Sequence, residues 1–218
     1  MSTPRQVRDS TAPERLPGAT GLPWRTRLAR GLRAKGRRLV ERLEIRRAEA
    51  IRRKPESVAR RLRSARTILV LCQGNVSRSV FAAHVLAVAL KGKRAVSVLS
   101  AGLDTRPGWR AHPRVIARCR ALGIDVRGHA SVSVTAAMIR TADVVLVMEV
   151  AHLVVMTRRF FGARRKTFLL TCLAPDVPRD IEDPAGKPDA AVDACIDHVS
   201  RALTPLVEVL ARPEGATG

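Results

Sequence analysis

The chain has 218 residues, with 40 Lys and Arg against 19 Asp and Glu for a net charge of +21, a length that allows one domain of about 150 residues plus an extension. No apolar run reaches the eighteen or so residues a membrane span needs, because Glu149 and His152 interrupt the longest candidate, Val144 to Met156. Four scattered cysteines, Cys72, Cys119, Cys172 and Cys195, have neither disulfide-framework nor metal-ligand spacing, which points to a reducing, cytoplasmic setting.

The positive charge is uneven. Residues 1–66 carry 20 basic and 6 acidic side chains, a net of +14, and the rest carry 20 and 13, a net of +7. This divides a basic, Arg-rich extension (1–66) from a domain of ordinary charge (67–212) and a flexible tail (213–218). Residues 1–23 hold Pro4, Pro13, Pro17 and Pro23 with little apolar material, which predicts disorder and supplies no apolar stretch for a signal peptide. From Trp24 onward, Leu28, Leu32, Leu39, Leu43 and Ile51 recur among Arg and Lys. This spacing predicts a basic amphipathic helix, interrupted near Gly31 and Gly36 and broken at Pro55. Residues 24–66 are expected either to dock on an anionic membrane surface or an acidic partner, placing the protein peripherally, or to form a solvated arm. With Trp24 as their one aromatic, nucleic acid is not an expected partner. Removing 1–66 is then expected to leave the domain working.

Thr67 to Leu71 is a short apolar, β-prone run that reads as a buried strand, and Arg78 to Lys91 has apolar positions at helical spacing. Cys72, Gln73, Gly74, Asn75, Val76 and Ser77 therefore form a strand-to-helix turn. Gly74 lets the backbone curl so that several N–H groups converge, and such a nest at a helix N-terminus binds anions. The same N–H groups and the helix dipole favour the thiolate form of a cysteine held there, which makes Cys72 a candidate nucleophile. Arg78 closes the turn with a planar fork suited to two oxygens of a tetrahedral oxyanion.

Alternating units follow: a strand at Ala95–Ser100, a helix at His112–Leu122 capped by Gly123, and a short helix at Thr135–Arg140. Next come a strand at Asp143–Met148, a helix at Ala151–Phe161, a strand at Thr167–Thr171 and a helix at Asp189–Leu210 carrying Pro205. This order predicts an α/β fold, a four-stranded parallel sheet with helices on both faces, and ligands beyond the carboxyl ends of the strands, where Cys72 lies.

Cys72-x-Gly74-Asn75-x-x-Arg78-Ser79 at such a turn resembles the active-site loop of the low-molecular-weight protein tyrosine phosphatases. So do Ser100-Ala101-Gly102, Gly108 to Pro113, Gly123-Ile124-Asp125, Gly128-His129 and Asp183-Pro184. The resemblance implies metal-free hydrolysis of phosphotyrosine through a phosphocysteine, without a cofactor. Cys72 would be the nucleophile, Arg78 and the loop amides the oxyanion cradle, and Asp183 the acid, then the base. It also implies that Asn75, Ser79, Ser100 and His129 form a hydrogen-bond network fixing the loop. Among bacterial members it suggests a tyrosine kinase controlling exopolysaccharide export as substrate. Asp176, Asp180 and Glu182 are local rivals to Asp183.

Departures from the family pattern fall around the pocket. Ser77 stands where a second cysteine usually precedes the arginine, and Val80 where a proline follows. Ala185-Gly186 replace aromatics after Asp-Pro, and Ser131 stands where an arginine would complete His-x-Arg. Trp109 is the aromatic left to flank a phosphotyrosine ring. Three alternatives follow. An arsenate reductase would need relay cysteines that Met148 to Arg164 lack, and a phosphoarginine phosphatase would carry a threonine where Val76 stands. The third, from a different class, is a phosphate-binding module targeted by its basic arm.

Overall fold

The computed structural model describes residues 23–212, with side chains from Gly36 onward. The expected disorder of residues 1–22 and flexibility of 213–218 lie outside the described residues. The helices are α1 (Pro23–Arg53), α2 (Glu56–Ser64), α3 (Arg78–Leu90), α4 (Pro113–Ala121), α5 (Ala136–Thr141), α6 (Val150–Arg159) and α7 (Asp189–Ala211). The strands are β1 (Thr67–Cys72), β2 (Ser97–Gly102), β3 (Val144–Val147) and β4 (Thr167–Leu169). All pairings are parallel, in the order β2-β1-β3-β4.

The alternation of side chains along β1 divides the core in two. Ile68, Val70 and Cys72 face a cluster built with Val58 and Leu62 of α2, Phe81 and Leu86 of α3, Val115 of α4 and Ile196 and Leu203 of α7. Leu69 and Leu71 face a second cluster with Ala48 of α1, Ile139 of α5, and Leu153 and Met156 of α6. A sheet covered on both faces explains why β1 and β3 read as unbroken apolar runs rather than alternating ones.

Several boundaries differ from expectation. β2 begins at Ser97 and ends at Gly102, because its register against β1 pairs Cys72 with Gly102. β4 stops at Leu169, and Leu170–Leu173 tighten into a 3-10 turn. α1 runs through Gly31 and Gly36 without a break. An isolated helical glycine costs only about 1 kcal/mol against alanine, and good helix formers surround both. α7 runs through Pro205, as its expected span from Asp189 to Leu210 requires.

The larger difference concerns residues 37–66. One compact unit begins at Arg37. Val58, Ala59 and Leu62 of α2 are buried, and Ala48 of α1 is buried with Val40 and Ile45 packed against the same cluster. Glu44, 1 % exposed, accepts from Thr157 Oγ1, Arg164 Nε and Arg47 Nη1. Charge density along the chain marked 37–66 as a separate arm, whereas several of those charges are engaged inside the fold. Among the described residues no helix is long and apolar enough to cross a membrane.

Candidate active site

In a sheet of order 2-1-3-4 the chain leaves β1 in opposite directions toward β2 and β3, which opens a crevice at the carboxyl ends of β1 and β3. Cys72 ends β1 at that crevice, and Glu149 follows β3 by two residues. A cleft of about 770 Å³ opens there, and Cys72, Arg78, Trp109 and Asp183 are among its lining residues.

The turn from Cys72 to Ser77 is held by its carbonyls. The N–H groups of Leu103, Asp104 and His112 donate to the carbonyls of Cys72, Gln73 and Val76 at 2.9, 3.1 and 2.8 Å. Thr105 Oγ1 donates to Gly74 O at 2.7 Å, and His129 Nε2 to Asn75 O at 2.9 Å. Phe81 N donates to Ser77 O at 3.0 Å, in the first turn of α3. With every carbonyl of the turn drawn outward, its N–H groups are free to face the centre, the geometry of an anion nest. The segment after β2 can approach this closely because Gly102 has no side chain. A Cβ there would lie 2.7 Å from Thr105 Cγ2 and 2.9 Å from Gln73 O.

Asn75 is the one non-glycine with positive φ (52°) among the described residues, a conformation asparagine tolerates well. Its Nδ2 donates to Ser79 Oγ and Ser100 Oγ, both at 3.0 Å, and its Oδ1 accepts from Val132 N at 3.0 Å. Asn75, Ser79, Ser100 and His129 thus meet in one network. Asn75 N lies 3.2 Å and Ser79 Oγ 3.0 Å from Cys72 Sγ. Since Ser79 Oγ accepts from Asn75, its own proton is left for the sulfur. The other three cysteines have a different environment: burial pushes Cys119 and Cys195 up to about 11 and Cys172 up to about 12, so they remain thiols at neutral pH.

Arg78 is 2 % exposed. Its Nη1 donates to Ile181 O at 2.8 Å and pairs with Glu149, while Nη2 pairs with Asp183. Asp183 is more open, and its Oδ1 accepts from Ala185 N at 3.1 Å in a turn through Pro184. The rivals are placed otherwise: Asp180 accepts from Val150 N and pairs with Arg179, Glu182 pairs with Lys187, and Asp176 is exposed. Val76, Ala185 and Gly186 line the cleft with the exposed Trp109.

In the sequence Glu149 is only a charge that breaks an apolar run. The signal that marks it is its place just past a central strand, where sheets of this kind hold ligands. His152, one turn into α6, lies 4.0 Å from Glu149 with its Nδ1 buried and unpartnered. Burial, and then the Arg78 guanidinium, lowers its pKa to about 4, so the ring is neutral at pH 7.

The profile of the family described as low molecular weight phosphotyrosine protein phosphatase matches residues 67–215. The chain belongs to this family and is a low-molecular-weight protein-tyrosine-phosphatase. It is 34% identical to a protein of Ralstonia solanacearum named Probable low molecular weight protein-tyrosine-phosphatase EpsP, over 63% of this chain and 91% of that one. The structure of the tyrosine phosphatase Wzb from Escherichia coli K30 in complex with sulphate is similar at a TM-score of 0.60 and 29% identity, covering 66% of this chain and 97% of that one. The YwlE arginine phosphatase from Geobacillus stearothermophilus matches at 0.58 and 32% identity, covering 66% and 90%.

Proposed function

We propose that this chain hydrolyses phosphotyrosine on proteins in two steps through a phosphocysteine. The observation that carries the reading is that Cys72 and Asp183, far apart in sequence, line one cleft in which Arg78 pairs with Asp183. In the first step Cys72 Sγ attacks phosphorus, and the phenolate leaves with the proton of Asp183. In the second, water attacks the phosphocysteine, Asp183 takes the water's proton, and phosphate departs as the thiolate re-forms. The loop N–H groups and Arg78 bind the equatorial oxygens in both steps. Each step uses protein groups and water alone.

The pairing of Arg78 suggests how the acid is readied. A phosphate dianion entering the loop competes with Asp183 for Nη2, while Glu149 and Ile181 O keep Nη1 in place. Released from Arg78, Asp183 is free to meet the leaving oxygen as the acid. Ser79 Oγ, at 3.0 Å, stabilises the sulfur when it leaves phosphorus. The sulphate held by Wzb is a tetrahedral oxyanion of the same shape. The apolar Val76 favours an aryl phosphate over a phosphoguanidine, and the exposed Trp109 at the mouth is placed to flank the ring.

The extension's role as an arm for docking on anionic surfaces is narrower than its charge suggests, because Arg47 and Arg52 donate to backbone carbonyls of the domain itself. The proposed substrate is therefore a phosphotyrosine segment of a protein, a bacterial tyrosine kinase included, recognised at the cleft.

Hydrolysis of p-nitrophenyl phosphate and of a phosphotyrosine peptide by the native chain, Cys72→Ser and Asp183→Ala tests this. Turnover lost in Cys72→Ser and slowed by roughly 10²-fold or more in Asp183→Ala is expected. Binding of vanadate without turnover by the native chain would make it a phosphate-binding module. A preference for a phosphoarginine peptide would overturn the aryl assignment.

A further inference from the structure

The loop that carries Asp183 runs from the 3-10 turn after β4 to α7, and most of its fixed points lie in the family segment. Thr171 Oγ1 donates to Arg179 O at 2.7 Å, Ile181 N to Met148 O at 2.9 Å, and His198 Nε2 to Pro178 O at 2.9 Å. A second set comes from α1. Arg52 Nη1 donates to Thr171 O at 2.8 Å, and its Nη2 to Pro175 O and Val177 O at 2.9 and 2.7 Å. One turn earlier, Glu49 accepts from Arg179 Nη1 at 3.1 Å. Arg179 in turn binds Asp180 through Nε and Nη2, and Asp180 Oδ1 accepts from Val150 N at 2.7 Å. Val150 follows Glu149, the partner of Arg78. Hydrogen bonds from α1 therefore fix Pro175 and Val177, which precede Asp183 in its loop, and reach through Arg179 and Asp180 to Val150 N, next in the chain to Glu149.

We propose that Arg52 and Glu49 are positioning residues for Asp183, so that the helix preceding the family segment sets the geometry of proton transfer. A guanidinium fork is suited to this because it reaches three carbonyls of one loop at once, which an ammonium cannot do with fixed geometry. The carbonyls of Pro175 and Val177 belong to a loop with little regular structure, so their position depends on donors supplied from outside it. Asp183 lies six residues beyond Val177 and three beyond Asp180. The device stands outside the matched segment, which begins at residue 67. It gives the extension a part in catalysis that its charge alone did not suggest.

The inference rests on the phosphatase reading, and its signature is dependence on the leaving group. With a well-placed acid, kcat/KM varies little across aryl phosphates whose phenols differ in acidity, and without one it falls steeply as the phenol becomes a poorer leaving group. The experiment measures that slope, with vanadate inhibition and thermal melting, for the full-length native chain, Arg52→Ala, Arg52→Lys, Glu49→Gln and Asp183→Asn. Arg52→Ala and Arg52→Lys should steepen the slope, lowering kcat/KM about tenfold for phenyl phosphate and less than about threefold for p-nitrophenyl phosphate. Vanadate inhibition should stay within about twofold, since the anion loop is untouched. Glu49→Gln should shift the slope the same way by a smaller amount. Adding Arg52→Ala to Asp183→Asn should steepen nothing further, because the acid is already gone. If Arg52→Ala does not fold, Arg52→Lys and Glu49→Gln decide. An unchanged slope in those two, or an equal fall on both substrates, overturns the positioning role while leaving the phosphatase intact. A native chain without turnover overturns the phosphatase reading, and this inference with it.

Discussion

The turn at Cys72 to Ser77 and the helical stretch from Arg37 to Ser64 both serve the same cleft, and they do so by opposite means. In the turn and the arginine that follows it, the proposed function dictates residue identity over seven neighbours: a cysteine for the nucleophile, an asparagine that accepts positive φ, and an arginine closing the loop. In the helices, Arg47 and Arg52 act on backbone carbonyls more than a hundred residues away. Any loop with free carbonyls would accept them, so no local pattern marks them. The first kind of site is written in a motif, and the second only in the fold.

The sharpest way to break this comparison is to remove the helices. A chain beginning at Thr67 loses the burial of Val58 and Leu62, each worth about 1.5–3 kcal/mol, together with that of Ala48. Arg164 and Arg179 lose their carboxylate partners on α1 as well. The total is roughly 5 kcal/mol or more, comparable to the whole stability of many domains. Urea unfolding should show a chain that is unfolded or nearly so, in contrast to the charge-based expectation that residues 1–66 are dispensable. A truncated chain with an unshifted midpoint would make the helices a mere appendage.

On the side of the turn, Arg78→Lys keeps the charge and removes the fork. The lysine cannot hold Glu149, Ile181 O and a phosphate oxygen pair together, so kcat/KM should fall by roughly 10²–10³. The melting temperature should change by no more than a few degrees. A loss of both in proportion would mean that Arg78 is chiefly a structural ion pair.

A third test uses pH and reads the packing behind Glu149. Buried His152 has its pKa lowered from 6.5 to about 4, with Arg78 adding to burial and Asp183 and Asp180 opposing it. Between those values the unfolded chain binds a proton that the native chain does not. This contribution is therefore fully present above pH 6.5, falls as pH drops, and is exhausted near pH 4. The loss is on the order of 3 kcal/mol. Urea midpoints from pH 7 to 4 should decline, and His152→Gln should flatten the decline. An equal slope in both proteins would place the acid sensitivity elsewhere.

How much of this was legible in the sequence follows the same division. The turn, the α/β order and the parallel sheet could be read because each rests on contacts between near neighbours or on period. Asn75, Ser79, Ser100 and His129 could be named from the resemblance, although only the fold shows Asn75 as the hub of their bonds. Glu149 was not seen as a partner of Arg78, since the two are brought together by the β1–β3 pairing alone. The family match begins at residue 67, where the charge count divides the chain, yet the compact unit begins at Arg37, because a linear charge count cannot tell an arginine in water from one bonded to carbonyls.

The smallest effect concerns a single methyl group beside the turn. Gly102 ends β2, and a Cβ there would meet Thr105 Cγ2 at 2.7 Å and Gln73 O at 2.9 Å. Gly102→Ala should cost about 1–3 kcal/mol by overpacking. It should also weaken the turn, because Thr105 must shift and its bond to Gly74 O lengthens. Thr105→Ser removes the crowded methyl and keeps the hydroxyl, so adding it to Gly102→Ala should restore part of both stability and kcat. Recovery of stability without kcat would mean that the Gln73 carbonyl, and with it the turn, remains displaced. Recovery of neither would show that the backbone contact dominates, and that the approach of β2 to the turn tolerates no side chain at this position.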